Sequence, residues 1–442
     1  MSTTRAREHA PDSHEQESLQ TPQMRRILAS SFLGSAIEFY DFMLYASASA
    51  LVFSPVFFAN LEPALATVAS FGTLAAGYVA RPLGGIVFGH FGDKLGRKGV
   101  LVVTMLMMGV ATALIGLLPT YAQIGAAAPM LLIVLRIVQG FAVGGEWGGA
   151  MLIALEHAPG GRRGFAASFA NLGAPAGSIL SAGMLGLFSL LPREQFLAWG
   201  WRVPFLLSVA LVLIGLFVRL KVVESPLFLS FDREAEQRRV PLMQVLTGAP
   251  RVLILGVLVA MTQLTISGMA SVWGLSYATA SGADETGALN AKVASAVALF
   301  VMTVVSARLS DRFGRRPVIA VGIVAAAAFA YPLLMLTGSG STVLFAVAVI
   351  VGQGIQGIIL GPLAAFLAEL FPTAVRFTGA SLAFQGASAI GAGFTPMVAG
   401  SIVASTGGIG LLGGVWIAVL VLCLGALFLA PEGRERDLAT IR

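Results

Sequence analysis

Long apolar stretches constrain this sequence more than any other feature. Each is long enough to supply the roughly 20 residues that cross about 30 Å of hydrocarbon. We place twelve of them in the 442 residues, at about 27–53, 64–92, 98–119, 128–156, 165–191, 202–220, 250–279, 289–310, 317–338, 342–370, 378–405 and 409–430. The sequence therefore predicts an all-α membrane protein with twelve transmembrane helices.

The composition agrees with a lipid environment. Hydrophobic residues make up 57% of the chain and charged residues 11%, whereas about 25% charged residues is usual in soluble domains. This argues against an ordinary cytosolic enzyme, a disordered scaffold and, despite the net charge of +6, a nucleic-acid binder. With Cys423 alone and four scattered His, neither a disulfide framework nor a metal cluster is expected, and no cofactor is predicted.

Charge divides the chain into two halves of six spans. A polar tail, residues 1–24, precedes the first six-helix bundle at 25–220. Charged residues then concentrate in a predicted cytosolic linker, 221–249, before the second bundle at 250–430 and a tail at 431–442.

Lys and Arg are distributed unevenly between the two sides of the predicted spans. One side receives 23 of the 28, and Arg193, Arg202 and Lys292 are assigned to the other. Because basic loops stay in the cytoplasm, both termini and the linker are predicted to be cytoplasmic, in the inner or plasma membrane.

The two halves carry a repeated loop. The heptapeptide from Gly92 to Lys98, GDKLGRK, follows span two, and that from Ser310 to Arg316, SDRFGRR, follows span eight, 218 residues later. This repetition predicts two related six-helix bundles, with a binding site between them near the middle of the membrane.

These loops resemble the signature of the major facilitator superfamily, and Arg136-Ile137-Val138-Gln139-Gly140 is similar to its fourth-helix motif. Other segments resemble the metabolite:H+ symporters, which include transporters of shikimate, 2-oxoglutarate, citrate and proline or betaine. They are EFYDF at 38–42, RPLGG at 81–85, GHFGD at 89–93, GGEWGG at 144–149, WGWRVP at 199–204 and ELFP at 369–372. The resemblance implies the major facilitator fold, with two pseudo-symmetric bundles.

Five ionisable residues lie deep inside predicted spans: Glu38, Asp41, Arg81, Arg136 and Glu146. Each would cost at least about 2.5–3.5 kcal/mol facing lipid, so they are expected to face a cavity or one another. At 1.5 Å per residue, Glu38, Arg81 and Glu146 fall about 16–18 Å deep, near the midplane.

Helical spacing brings several of these groups to shared faces. Glu38, Asp41 and Tyr45 line one face of helix one, and a stripe from Arg136 through Gln139 to Trp147 lines helix four. The core spans of the second half offer only neutral groups, including Gln263 and Gln385. Proton coupling is therefore predicted to belong to the first bundle.

The chemistry suggested by these groups is proton exchange at a carboxylate beside an arginine. We expect Glu38 or Asp41, with Glu146 nearby, to carry the proton, and Arg136 or Arg81 to hold a substrate carboxylate. The expected substrate-binding set is Arg136, Arg81, Tyr45, Gln139, Trp147, Gln263 and Gln385. A permanent structural pair between Arg81 and Glu146 is the alternative.

The repeated loops have a different expected role. In the family they are thought to hold the cytoplasmic gate closed, and the resemblance assigns this role to Gly92, Asp93, Gly96, Arg97, Asp311, Gly314 and Arg315. The simpler alternative is that their basic residues only fix topology.

The sequence therefore suggests a proton-coupled symporter that imports a small organic acid such as shikimate or a dicarboxylate, acting as a monomer. Uptake of a zwitterion such as proline or betaine is an alternative, as is proton-driven export. Span five does not match the antiporter signature well, which favours symport. A membrane enzyme would need a cluster of His and Asp in a loop, which the sequence lacks, and direct ATP coupling lacks a Walker A motif.

Overall fold

A computed structural model describes residues 22–95, 97–144, 163–221, 241–371 and 376–431. Within these ranges the chain is almost entirely helical and contains no β-strand. Six long helices form the first half: α1 Pro22–Leu51, α2 Pro63–Leu95, α3 Arg97–Leu117, α4 Ala127–Val143, α5 Arg163–Phe188 and α6 Arg202–Lys221.

Six more long helices form the second half. Four of them are α8 Glu285–Phe313, α9 Arg315–Thr337, α10 Thr342–Leu370 and α12 Gly410–Leu429. The other two each include a π-helical segment: α7 consists of Pro250–Ser267, the π-helical Gly268–Trp273 and Gly274–Ala280, and α11 consists of Arg376–Ala387, the π-helical Ser388–Phe394 and Thr395–Thr406. Short helices at Phe53–Phe57, Tyr121–Ile124, Arg193–Gln195 and Pro241–Gly248, and a π-helical segment at Phe196–Gly200, lie between the long ones. Each of the twelve predicted spans overlaps one long helix.

By length and composition, eight helical segments in the described ranges could cross a membrane, and Val102–Leu117 and Ala127–Val143 are shorter apolar helices. Large apolar side chains lie exposed on many of these helices, for example Leu213, Met335 and Val343. In a soluble protein such a surface would aggregate, whereas in a bilayer it contacts lipid. The prediction of a multi-pass helical membrane protein is confirmed.

Glycines bring α2 and α4 into backbone contact. A Cβ added at Gly140 would lie 1.8 Å from the carbonyl oxygen of Gly77, and one added at Gly144 would lie 2.0 Å from that of Arg81. Small residues allow this approach between helices in lipid, where packing drives association. The packing holds Arg81 and Arg136 on neighbouring helices.

The second half repeats this packing between α8 and α10. A Cβ at Gly361 would lie 2.5 Å from the carbonyl oxygen of Thr303, and one at Gly357 would lie 2.8 Å from that of Leu299. Because α8 and α10 follow α2 and α4 at an interval of six helices, the same type of contact recurs in equivalent pairs. This agrees with two pseudo-symmetric bundles.

The halves touch most extensively between α2 and α11 and between α5 and α8, and α5 also contacts α10. We name the two ends of the protein by these helices: the loop end holds Leu95 and Phe313, and the opposite end holds Pro63 and Glu285. Hydrogen bonds join the halves at both ends. They include Phe165 to Asp311 at the loop end and Ser189 with Thr286 at the opposite end.

Candidate functional site

A chain of hydrogen bonds connects Asp41 on α1 to Arg136 on α4. Arg136 Nη1 donates to Gln139 Oε1 at 3.1 Å, and Gln139 Nε2 donates to Thr112 Oγ1 at 2.6 Å. The Thr112 hydroxyl donates in turn to Asp41 Oδ2 at 3.1 Å. All four side chains are buried. Three helices, α1, α3 and α4, thus place one carboxylate and one guanidinium in a single network.

Thr112 has two possible acceptors for its one hydroxyl hydrogen. Its Oγ1 lies 2.9 Å from the carbonyl oxygen of Met108 as well as 3.1 Å from Asp41 Oδ2. A hydroxyl has one hydrogen and two lone pairs, so it can donate to an ionised carboxylate or accept from a protonated one. Since Thr112 can turn its hydrogen to Met108 in the second case, this network is compatible with both protonation states of Asp41.

Aromatic rings hold both arginines. The guanidinium carbon of Arg136 lies 4.0 Å from the ring centres of Phe42 and of Tyr45, and that of Arg81 lies 3.7 Å from Phe42 and 4.5 Å from Tyr78. Cation–π contacts of this kind are stronger where water is excluded. Both guanidinium groups keep donors without a hydrogen-bond partner among the described residues: Nε and Nη2 of Arg136, and Nε of Arg81.

The predicted polar face of α1 is present and meets three helices. Glu38 lies within electrostatic reach of Arg81 on α2, Asp41 contacts Thr112 on α3, and the Tyr45 ring lies against Arg136 on α4. Tyr45 also donates to Thr73 on α2 at 2.7 Å. Thr112 was not foreseen from the sequence, because one threonine in an apolar helix carries no pattern that identifies its partners.

Two predicted site residues, Glu146 and Trp147, lie outside the described residues, as does Gly96 of the predicted gate. Gly92 and Asp93 belong to the last turns of α2, and Arg97 begins α3. The proposed pairing of Arg81 with Glu146 therefore stays a prediction.

Neutral polar side chains cluster in the core of the second half. Gln356 Nε2 on α10 donates to Gln263 Oε1 on α7 at 2.8 Å, and Gln353 Nε2 donates to Ser271 on α7 at 3.0 Å. Gln385 on α11 is 2% exposed, and its Oε1 has no hydrogen-bond partner in the described part of the chain. Buried amides with unused acceptors are suited to bind the hydroxyl or N–H groups of a ligand.

Lys292 contradicts the interpretation that the second half offers only neutral groups, and it is not in a loop. The helix α8 begins at Glu285, where the Asp284 carboxylate caps it by accepting from the Gly287 N–H. Lys292 therefore lies two turns inside α8, where it is 1% exposed and donates from Nζ to Ser47 Oγ on α1 at 2.6 Å. An Asp followed by a Glu ahead of an apolar run is a helix-start signal that could have placed it correctly.

At the loop end, Arg315 organises the second repeated loop. It contacts Asp311 Oδ1 at 3.2 Å and Glu369 Oε1 on α10 at 3.1 Å, and it donates to the Ser310 carbonyl at 2.9 Å. The φ of Gly314 is 101°, which glycine adopts without strain. Asp311 Oδ2 accepts from the Phe165 N–H of α5 at 3.2 Å, so this loop reaches into the other half. Glu369 belongs to the ELFP segment but was not expected at the gate.

Comparisons with known proteins agree with this architecture. The sequence model of the family described as sugar (and other) transporter matches residues 27–245 and 230–442. The chain is 42% identical to the inner membrane metabolite transport protein YhjE of Escherichia coli (strain K12), over 96% of this chain and 98% of that protein. It is 38% identical to the shikimate transporter of the same organism over 87% of this chain and 89% of that protein.

The chain is also similar to a third relative and to a solved structure. The proline/betaine transporter of Escherichia coli (strain K12) is 35% identical over 87% of this chain and 79% of that protein. The xylose transporter XylE of E. coli, in a partially occluded inward-open conformation, superposes with a TM-score of 0.75 at 20% identity, covering 95% of this chain and 100% of that structure. The expected major facilitator fold of twelve helices in two bundles is confirmed.

Proposed function

Because this chain belongs to the sugar (and other) transporter family of the major facilitator superfamily, we propose that it imports a small organic acid together with protons. Membership of this family makes it a multi-pass secondary transporter and not an enzyme. The network from Asp41 through Thr112 and Gln139 to Arg136 is the observation that carries the proposal.

Asp41 has the properties needed of a proton carrier. It is 2% exposed, and its Oδ1 has no hydrogen-bond partner among the described residues, so this oxygen is available to bind a proton. The hydroxyl of Thr112 adjusts to either protonation state. Glu38 is the second candidate, because it lies within electrostatic reach of Arg81, and Glu146 is the third.

Arg136 is the proposed partner of the substrate carboxylate. Its Nε and Nη2 donors are unused among the described residues, and a guanidinium fork matches the two oxygens of a carboxylate. When Asp41 is ionised it attracts Arg136 electrostatically, and when Asp41 is protonated this attraction is lost. Proton binding would then leave Arg136 available to the substrate, which couples the two ligands.

The second half would bind the neutral part of the substrate. Gln263, Gln356 and Gln385 offer amide groups on three helices, and two of their oxygens have no partner among the described residues. Hydroxyl groups of the acid could donate to these oxygens. A hydroxylated acid therefore suits both halves better than an apolar one, which agrees with the similarity to a shikimate transporter.

Uptake of a zwitterion such as proline or betaine is the second candidate. The stacked pair of Trp273 and Tyr277, with ring centres 4.6 Å apart, could form part of an aromatic site for a quaternary ammonium group. The ring faces of Phe42 and Tyr45 are already in contact with Arg136, which favours the acid. The proline/betaine transporter among the relatives supports the zwitterion.

The remaining features follow from the same proposal. The protein would lie in the inner membrane, and the distribution of its basic residues favours both termini in the cytoplasm. The linker 221–249 would also be cytoplasmic and would connect functional bundles at 25–220 and 250–430. The protein would act as a monomer, with the proton gradient as its energy source and no cofactor. Transport would follow by alternating access of the two bundles.

The test combines binding and transport. Purified protein is screened by thermal shift against carboxylates, sugar acids, amino acids and betaines, and the stabilising compounds are then used for uptake into proteoliposomes under imposed pH gradients. We expect stabilisation by hydroxylated acids and accumulation only when the outside is acidic. Stabilisation by betaines alone would establish the second candidate. An uptake rate that does not depend on the pH gradient would refute proton coupling. Proton-driven loss of substrate from vesicles would indicate export.

A further inference from the structure

Lys292 is a buried cation without an acidic partner in the described part of the chain. Its side chain is 1% exposed, and its ammonium group, which has three donors, makes one side-chain hydrogen bond, to Ser47 Oγ at 2.6 Å. The acid closest to it along α8 is Glu285, two turns away, and this carboxylate pairs with Arg193. No ion pair to Lys292 occurs among the described residues. Its charge is therefore stabilised by a side-chain hydrogen bond to a single hydroxyl, that of Ser47.

The bond between Lys292 and Ser47 crosses from one half of the protein to the other. Ser47 belongs to α1 and Lys292 to α8. Around it, Ser189 at the end of α5 pairs with Thr286 at 2.9 Å, and Arg193 pairs with Glu285. We call these three pairs the seam. It joins the halves at the end opposite the repeated loops.

The seam must separate when the opposite end opens. Transporters of this architecture expose their site to either side by rocking one bundle against the other. Separation of α1 from α8 would let water reach the Lys292 ammonium, whereas closure removes that water and leaves Ser47 as its partner. Burial of an ammonium group with so few acceptors is unfavourable, so the charge of Lys292 opposes closure of the seam.

We propose that Lys292 and Ser47 set the balance between the open and closed states of the opposite end. The cation weakens the closed seam and prevents it from becoming a permanent contact, while the Ser47 hydroxyl partly compensates for the lost water. This inference rests on alternating access alone and does not depend on which substrate is carried.

The proposal predicts opposite effects for substitutions of the two residues. Lys292→Met keeps the length of the side chain and removes the charge, so it should favour the closed state. Ser47→Ala removes the acceptor and leaves the ammonium buried without a partner, so it should favour the open state. In the double variant both the charge and the acceptor are absent, so the balance should resemble that of Lys292→Met.

The experiment measures the separation of the halves directly. Spin labels are attached at Glu62→Cys and Ser339→Cys, which are exposed on loops of the two halves at the opposite end, in a Cys423→Ala background. Electron–electron distance distributions are recorded in nanodiscs without substrate. We expect the closed-to-open ratio to rise about tenfold in Lys292→Met and to fall by a similar factor in Ser47→Ala, since an unsatisfied buried donor is costly.

The control is Ser295→Ala, one turn from Lys292, whose hydroxyl donates only to the carbonyl oxygen of Lys292 in its own helix. It should leave the distribution unchanged. Equal distributions in the wild type, Lys292→Met and Ser47→Ala, or shifts in the same direction in both variants, would overturn the proposal. If Lys292→Met does not fold, Lys292→Gln makes the same comparison. No substrate is added, so failure of organic-acid uptake would not affect this result.

Discussion

Asp41 and Arg136 are joined through two neutral side chains, Thr112 and Gln139, by three consecutive hydrogen bonds. A direct ion pair would hold the carboxylate ionised and the guanidinium occupied. The indirect connection places the two charges in one network while leaving donors of Arg136 unused. In a buried site the electrostatic influence of a proton on Asp41 therefore reaches Arg136 without a direct contact.

Asp41→Asn should separate binding from energy coupling. The amide cannot carry a proton between the two sides, but it can still accept the Thr112 hydrogen bond, so the local structure should persist. We expect that a pH gradient no longer drives the internal substrate concentration above the external one. The rate of exchange of internal for external substrate should stay within several-fold of the wild-type rate. Both are measured in proteoliposomes, and Glu38→Gln is compared in parallel. Full accumulation by Asp41→Asn would exclude Asp41 as the carrier, and loss confined to Glu38→Gln would assign the role to Glu38.

Thr112→Val should interrupt the network between Asp41 and Arg136. The two side chains have nearly the same shape, but valine leaves the Gln139 amide and the Asp41 carboxylate without their shared partner. An unsatisfied buried polar group costs about 1–3 kcal/mol, so thermal stability should fall. The rate of proton-driven uptake should fall about tenfold or more. Thr112→Ser keeps the hydroxyl and should retain most of the uptake; equal loss in both variants would point to packing instead of hydrogen bonding.

Arg136→Lys should raise the KM for organic acids about tenfold or more. Lysine keeps the charge but loses the planar fork that fits a carboxylate and stacks on Phe42 and Tyr45. Uptake at a series of substrate concentrations gives the KM, and Arg81→Lys is the matched comparison on α2. A larger increase for Arg81→Lys would place the substrate carboxylate beside α2.

The sequence was sufficient for the helices but only partly for their partners. Apolar stretches are long and their ends coincide with charged or turn residues, so each of the twelve predicted spans overlaps a long helix. The polar face of α1 follows from helical spacing and is present in the structure. By contrast, the contacts of Thr112 depend on how α3 lies between α1 and α4, and spacing within one helix carries no information about that arrangement.

Lys292 shows a second limit. A basic residue near a predicted helix end is usually in a loop, and counting charges on each side assumes so. The helix α8 starts four residues before the predicted span, which is enough to carry the ammonium group inward by one turn and bury it against α1. An error of one turn in a boundary therefore changed a topology marker into a buried charge.

Asp311→Asn should loosen the loop end. The Asp311 carboxylate accepts from the Phe165 N–H at the beginning of α5 and contacts Arg315, so it attaches the second repeated loop to the first half. An amide is a weaker acceptor at a helix N-terminus, and because it is neutral it forms no ion pair with the guanidinium. We expect a cysteine placed between the halves at this end to react about fivefold or more faster with a water-soluble maleimide. Arg312→Gln, on the same turn, should leave the labelling rate unchanged. Equal labelling rates for Asp311→Asn and the wild type would mean that the repeated loop only fixes topology.

Gly140→Ala should be among the most disruptive small substitutions in the protein. Its new Cβ would lie 1.8 Å from the carbonyl oxygen of Gly77, a backbone atom that can move only if α2 and α4 separate. This separation would also move Arg81 and Arg136 apart, so folding and transport should both suffer. Detergent-solubilised protein should melt several degrees lower than the wild type, or fail to accumulate in the membrane.

Gly183→Ala is the matched control, because Gly183 lies within α5 and its added Cβ would meet no heavy atom within 4 Å. Alanine favours a helix over glycine by up to about 1 kcal/mol, so this variant should melt at the wild-type temperature or slightly above it. Gly361→Ala tests the equivalent contact in the second half, where the Cβ would lie 2.5 Å from the Thr303 carbonyl oxygen. Losses at Gly140 and Gly361 without loss at Gly183 would show that close packing of α2 on α4 and of α8 on α10 stabilises both halves. Wild-type stability of all three variants would mean that these helices are held by other contacts.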